Sequence, residues 1–150
     1  MLDDLKMIHN RDKDDALGVV GKQWQQLSYD FEVDATSFGD ISNIVVGGMG
    51  GSAWPALYLT SWPGTTVPLE IVKNYDLPAY VGPKTLFISS SYSGNTEETL
   101  AALEAAESRS AQIAVITAGG KLADLAKQAG YPLYLIPSGI QPRMSSFYFI

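Results

Sequence analysis

The stretch from Leu86 to Glu98 limits what this chain can fold into more than any other. An apolar run, Thr85 to Ile88, opens into a loop of hydroxyls with one glycine, Gly94, and a helix-forming run, Glu97 to Ala106, follows at once. Strand, turn and helix in that order leave the first N–H groups of the helix without partners. The helix dipole places partial positive charge there, so an anion can be held without a lysine. Ser91, Ser93 and Thr96 add hydroxyl donors at the same place, and Gly94 allows close approach of the backbone. The same residues also fit an ordinary turn: Asn95 and Glu98 have capping-box spacing, and serine-rich turns precede many helices that bind nothing.

A second unit of this kind lies upstream. Ile44 to Val46 reads as a strand, Gly47 to Ser52 as a loop with four glycines in its first five residues, and Ala53 to Leu59 as a helix with Ser52 as N-cap and Pro55 in the first turn. So many glycines are costly in chain entropy, and the usual reason is a sharp turn or a close approach of backbone to ligand. The loop lacks the Gly-Lys-Ser/Thr of a P-loop. It also fails the dinucleotide fingerprint, because only Ala53 satisfies the third small position and Glu70 lies inside a strand, not at its end.

The remaining elements follow from periodicity and breakers. Leu17, Val20, Trp24, Leu27 and Phe31 draw one apolar stripe, which predicts a leading helix, with Asp12, Asp14 and Asp15 as a solvated first turn. A polar joint runs from Asp34 to Asn43. Val67 to Val72 is a strand with an early proline, and Asn74 to Pro83 is a loop. Thr85 to Ser89 precedes a helix over Thr96 to Glu107, Ala111 to Thr117 precedes a helix over Lys121 to Ala129, and Tyr131 to Ile136 is a last strand flanked by prolines. Alternation of strand and helix predicts a parallel sheet with helices on both faces. Prolines belong on edge strands, so the second and fifth strands lie outside and the order is 2-1-3-4-5, a flavodoxin-like α/β sandwich of three layers. The winding reverses between the first and third strands, and a crevice opens there at their carboxyl ends. The glycine loop and the serine loop follow those two strands, so they are expected to face each other across it.

Composition removes several functions. A net charge of −6 without a cluster of Lys and Arg argues against nucleic acid. A chain without cysteine and with one histidine, His9, has neither a thiolate nucleophile nor enough imidazoles for a zinc site. His9 precedes the leading helix and reads as an exposed residue. The acidic start and the lack of any membrane-length apolar run predict a cytoplasmic protein with no membrane partner. The last residues, Met144 to Ile150, read as the start of a helix carrying an apolar patch, Phe147 to Ile150, that needs cover, which points to a piece of a longer protein. Arg143 is the guanidinium nearest the two loops, and its bland reading is a surface arginine.

In order, Gly48 to Ala53, Ser91 to Glu98 and Gln141-Pro142-Arg143 resemble the N-terminal half of the bifunctional phosphoglucose/phosphomannose isomerase family, and Leu2-Asp3-Asp4 is similar too. The resemblance spans essentially the whole chain. It implies one sugar isomerase (SIS) domain over residues 1–150, with a leading helical segment 1–40 and an α/β core 41–150, followed by a second SIS domain, in a homodimer. By motif position it implies that Gly50, Gly51, Ser52, Ser91, Ser93 and Thr96 hold the phosphate of a hexose 6-phosphate and that Arg143 stands beside the reacting carbons. The implied reaction is aldose–ketose isomerisation between glucose 6-phosphate or mannose 6-phosphate and fructose 6-phosphate, with no cofactor and no metal. The family's glutamate base and ring-opening histidine come from the second SIS domain, so this chain alone is expected to bind but not to turn over. The alternative is a phosphosugar-binding SIS module with a regulatory role.

Overall fold

The computed structural model describes residues 3–31 and 38–149. Leu2 of the opening motif, the first part of the joint around Asp34, and Ile150 lie outside the described residues.

Five parallel strands form one sheet: β1 (Asn43–Gly48), β2 (Leu69–Val72), β3 (Thr85–Ser91), β4 (Gln112–Thr117) and β5 (Leu133–Leu135); the α-helices are α1 (Leu5–Arg11), α2 (Ala16–Gly21), α3 (Trp54–Thr60), α4 (Glu97–Ser108) and α5 (Gly120–Ala129). Their order is β2-β1-β3-β4-β5, as expected from the prolines. Pro68 and Pro132 each sit just before an edge strand and contribute only their carbonyls, which accept from the N–H groups of Ile44 and Val115. Register pairs Gly47 with Ser89 and Gly48 with Ser90, so the carboxyl ends of β1 and β3 lie side by side and their loops start level.

Side chains alternate along the strands, and each face has its own cover. Val45, Phe87, Ile113 and Val115 form one core with Ala102, Leu103 and Ala106 of α4 (Glu97–Ser108) and Leu122 and Ala126 of α5 (Gly120–Ala129). The connection from β2 to β3 carries no helix. Leu77 and Val81 from that loop fill the place a helix would occupy, and the Arg109 guanidinium pins it by donating to the carbonyls of Leu77 and Pro78. Gly47 is dictated by this core, because a Cβ there would press into the Phe87 ring.

The opposite face is thinner. The helix after β1, Trp54–Thr60, buries Pro55 and Ala56, while Trp54, Leu57 and Tyr58 stay exposed. Ile44, Leu86, Ile88 and Ile116 on this side of the sheet are only half-buried.

The leading segment is helical but not one helix. It consists of α-helices at Leu5–Arg11 and Ala16–Gly21 and a 3-10 turn at Gln23–Ser28, and Phe31 lies beyond all three. Two sets of hydrogen bonds, one local and one to the far end of the chain, divide it. The Asp12 carboxylate ends the first helix and caps the second, accepting from the N–H groups of Ala16 and Leu17. Further on, Gln23 and Gln26 are drawn inward: Gln26 donates to the Met144 carbonyl and accepts from the Phe147 N–H, and Gln23 donates to the Ser146 hydroxyl. The expected stripe is consequently not a buried seam of this chain, since Leu17, Val20, Trp24 and Leu27 are all exposed. His9 lies within the first of these helices, exposed as expected.

The end of the chain differs from expectation for the same reason. Met144 onward forms 3-10 turns, Pro142–Met144 and Ser146–Phe149, and no α-helix. Phe149 is 7% exposed, so the apolar patch expected there is largely covered from within. Edge-to-face pairs Tyr29–Tyr148, Tyr29–Phe31 and Phe31–Tyr134 continue that cover to β5, with centroids 5.0–5.8 Å apart. Among the described residues no helix is long and apolar enough to cross a membrane.

Phe87, with no exposure, joins the central strand to both helices of the main core. Phe87→Ala is expected to cost about 3–5 kcal/mol, read from the midpoint of denaturant unfolding. A loss below about 1 kcal/mol would show that this side chain is not packed as described.

Candidate functional site

The glycine loop and the serine loop meet where expected and are bonded to each other. The Ser90 hydroxyl donates to the Ser52 carbonyl at 2.8 Å, and the Tyr92 N–H donates to the Ser52 hydroxyl oxygen at 3.0 Å. Gly48 permits this approach, because a Cβ there would come within 2.8 Å of the Ser90 carbonyl. Ser52 is therefore not the N-cap of its helix. Ala53 occupies the cap position without a side-chain bond, and a 3-10 turn over Gly50–Ser52 aims the Ser52 hydroxyl at the other loop.

Asn95 and Glu98 likewise do not form a capping box. Thr96 is the N-cap of α4 and makes no capping bond. The Asn95 amide instead donates to the Ser93 carbonyl and accepts from the Lys121 N–H, which caps α5. The Gly94 carbonyl accepts from the Leu122 N–H at 2.9 Å. The start of α5 is thus closed by the serine loop itself. Gly94 has φ +66° and lies so tightly on Gly119 that any Cβ would run into its carbonyl, while Gly120 is pressed as closely against Ser93. These glycines join loop to loop.

The start of α4 is left open. Among the described residues no acceptor is bonded to the N–H of Thr96, Glu97 or Glu98. Around it, the buried Ser91 hydroxyl accepts from the Gly94 N–H and is hydrogen-bonded to the Thr96 hydroxyl, 2.9 Å away. The exposed Ser93 oxygen accepts from the Asn95 N–H and keeps its own O–H to donate. Free amides at a helix start with hydroxyl donors beside them are the chemistry of an anion cradle.

The third motif closes on the same place. A Cβ on Gly51 would come within 3.1 Å of the Cα and N of Arg143, so the backbone of Pro142–Arg143 rests on the glycine loop. Gly50 beside it has φ +52°. Arg143 is exposed, and among the described residues its guanidinium has neither a carboxylate nor a hydrogen-bond partner. All seven residues expected at the site thus belong to three loops in mutual contact.

The sequence reading missed Tyr92 and the loop after β2. Tyr92 joins the serine loop to the segment before Arg143 through its hydroxyl, a role that spacing alone does not signal. Tyr75, from the loop after β2, has its phenol held above the ordinary range, first by partial desolvation and then by the charges of Glu97 and Glu98. Lys73 and Asn74 of the same loop line one crevice with Glu98 and Thr99, which places the loop beside the first turn of α4. Among the described residues no three or more His, Cys, Asp or Glu gather as metal ligands.

Residues 38–148 match the SIS domain family. Over 111 residues the chain is 46% identical to a bifunctional phosphoglucose/phosphomannose isomerase of Caldicellulosiruptor bescii, covering 73% of this chain and 33% of that protein. It is 42% identical over 91 residues to a D-glucosamine-6-phosphate 4-epimerase of Sulfolobus acidocaldarius, covering 53% of this chain and 30% of that one. The matched part is about a third of these relatives' length. The crystal structure of a hypothetical protein from Thermus thermophilus superposes with TM-score 0.61 at 22% identity, covering 91% of this chain and 35% of that one, which supports the fold. With its family match over most of its length and its sheet order, the chain belongs to the SIS domain family.

Proposed function

We propose that this chain is the sugar-phosphate-binding half of an aldose–ketose isomerase that interconverts glucose 6-phosphate or mannose 6-phosphate with fructose 6-phosphate. The observation that carries this reading is the open start of α4, ringed by Ser91, Ser93 and Thr96, with the Gln141-Pro142-Arg143 turn seated on Gly51. In this reading the α4 amides, the three hydroxyls and the turn of Gly50, Gly51 and Ser52 hold the phosphate. Arg143 faces the far end of the sugar. Isomerisation moves a proton between C1 and C2 through an enediolate, and a fixed guanidinium stabilises the negative oxygen that develops there. The proton carrier and the ring opener belong to a second SIS domain, a division supported by the isomerase relative, of which the matched part is only 33%.

The 4-epimerase relative favours a coarser second reading, in which the cradle is common to phosphosugar enzymes and the rest of the protein chooses the reaction. A regulatory phosphosugar-binding module is a third. We also assign the chain to the cytoplasm and to a homodimer. Leu17, Val20, Trp24 and Leu27, together with Trp54, Leu57, Tyr58 and Trp62, form the apolar surface that a partner subunit or the second SIS domain would cover.

Three outcomes test these assignments. Ser93→Asp sets a carboxylate among the donors and should abolish binding of fructose 6-phosphate, whereas Ser108→Asp at the far end of α4 should not; matching calorimetric titrations for the two would place the ligand elsewhere. The 150-residue chain should bind fructose 6-phosphate without converting it, since two positioned acid–base groups worth about 10²–10⁴-fold each are lacking. Sustained formation of glucose 6-phosphate in a dehydrogenase-coupled assay would contradict that. Light scattering should return a dimer mass, and a monomer at high micromolar concentration would remove the dimer from the proposal.

A further inference from the structure

We infer that Tyr92 is the positioning residue for Arg143, a role that rests on the sugar-phosphate reading above. Tyr92 sits between Ser91 and Ser93, yet none of its polar groups turns toward the cradle. Its N–H holds the glycine loop through the Ser52 hydroxyl, and its carbonyl accepts from the Ala118 N–H at the start of the next loop. Its phenol spans 48 residues of sequence: the Ile140 N–H donates to the phenolic oxygen at 2.9 Å, and the phenol donates to the Pro137 carbonyl at 3.3 Å.

Those two bonds close a clamp around residues 137–140, directly before Gln141-Pro142-Arg143. The segment needs one. It leaves the edge strand β5, passes Gly139 at φ +87° and reaches the 3-10 turn at Pro142 with no strand pairing of its own. Its two anchors to the site are the Tyr92 phenol and the packing of Pro142–Arg143 on Gly51. Without the phenol, Arg143 would keep its charge but lose the fixed place from which charge is stabilised with little reorganisation. The expected signature is selective: the phosphate cradle is independent of the clamp, and recognition of the enediolate end of the substrate depends on it.

The test is a mutant cycle on this chain with three ligands read by calorimetry. They are inorganic phosphate, fructose 6-phosphate, and a five-carbon 5-phosphate ending in a hydroxamate, which carries the charge and planarity of the enediolate. Tyr92→Phe removes one oxygen and keeps the ring. It should leave inorganic phosphate within about twofold and weaken the hydroxamate about tenfold, as loss of two part-buried hydrogen bonds and of a placed charge would. Arg143→Ala should do the same, and the double variant should be no worse than either single one, because both act through one guanidinium. Unchanged hydroxamate affinity in Tyr92→Phe, or losses that multiply in the double variant, would overturn the inference. Amide exchange on the unmodified chain gives an independent reading should the variant not fold. The Ile140 amide should exchange much more slowly than those of Gly139 and Gln141, and equal rates would also overturn the clamp. If the unmodified chain binds none of the three ligands, the sugar-phosphate reading falls, and exchange at Ile140 still decides whether the phenol holds the segment.

Discussion

Ser52 makes the two hydrogen bonds on which the rest of the site depends. Its carbonyl and its hydroxyl oxygen are both engaged by β3 and the loop that follows, so the two loops flanking the switch point of the sheet act as one body. Parallel neighbours in register bring the ends of β1 and β3 level, but they do not orient what comes after. The cross-loop bonds do that. Because Ser52 is 7% exposed and Ser90 2%, these bonds are shielded from water and each is costly to leave unmade. Gly51 then offers a bare backbone against which the Arg143 turn can close. Sheet, loop pair and C-terminal turn form a chain of dependence that runs in that order.

The electrostatics invert what net charge suggests. An acidic protein repels an anionic ligand at long range, and Glu97 and Glu98 in the first turn of α4 add local repulsion. What favours binding is short-range: unpaired amides at the start of a 12-residue helix and hydroxyls that can rotate to donate. The neighbouring helix start offers no competing site, because Asn95 and Gly94 satisfy the first turn of α5. One helix start is closed by a neighbouring loop, and the other is left open.

The parts of this molecule legible in its sequence are those set by rules that act over a few residues. Pro68 and Pro132 cannot donate to a ladder, and that alone placed β2 and β5 at the edges and put the crevice between β1 and β3. The parts that were not legible depend on a partner distant in sequence. Ser52 and Asn95 have the composition of local caps, yet each is drawn to an acceptor or donor on another element. Gln23 and Gln26 lie between the stripe residues of a helical pattern. Bonds to Met144, Ser146 and Phe147, more than 100 residues away, outweighed that pattern and broke the helix. The same bonds covered a terminus that its composition alone marked as exposed. The motifs singled out Gly50, Gly51, Ser52, Ser91, Ser93, Thr96 and Arg143, and the structure brings their three loops into contact, whereas Tyr92 carried no such signal, because its hydroxyl acts 48 residues away.

A site divided in this way separates binding from chemistry physically. The cradle and Arg143 are placed by contacts internal to this chain: backbone pairing, glycine packing and the Ser52 bonds. They need no partner to exist. The opposite face of the sheet is different, since Ile44, Leu86, Ile88 and Ile116 remain half-covered and Trp54, Trp24 and Trp62 are open to solvent. Exposed aromatic area gains substantially from burial, and in the proposed function a second protein surface would supply the cover. In the proposed two-domain enzyme the contact with a neighbour would be apolar and lie outside the cradle, leaving the donors at the start of α4 free. An enzyme assembled from such halves can fix its substrate by the phosphate on one half and bring proton-transfer groups from another, provided that the shared guanidinium does not move when they meet. That requirement falls on the short segment between β5 and Arg143, which places the demand for rigidity at the phenol of Tyr92.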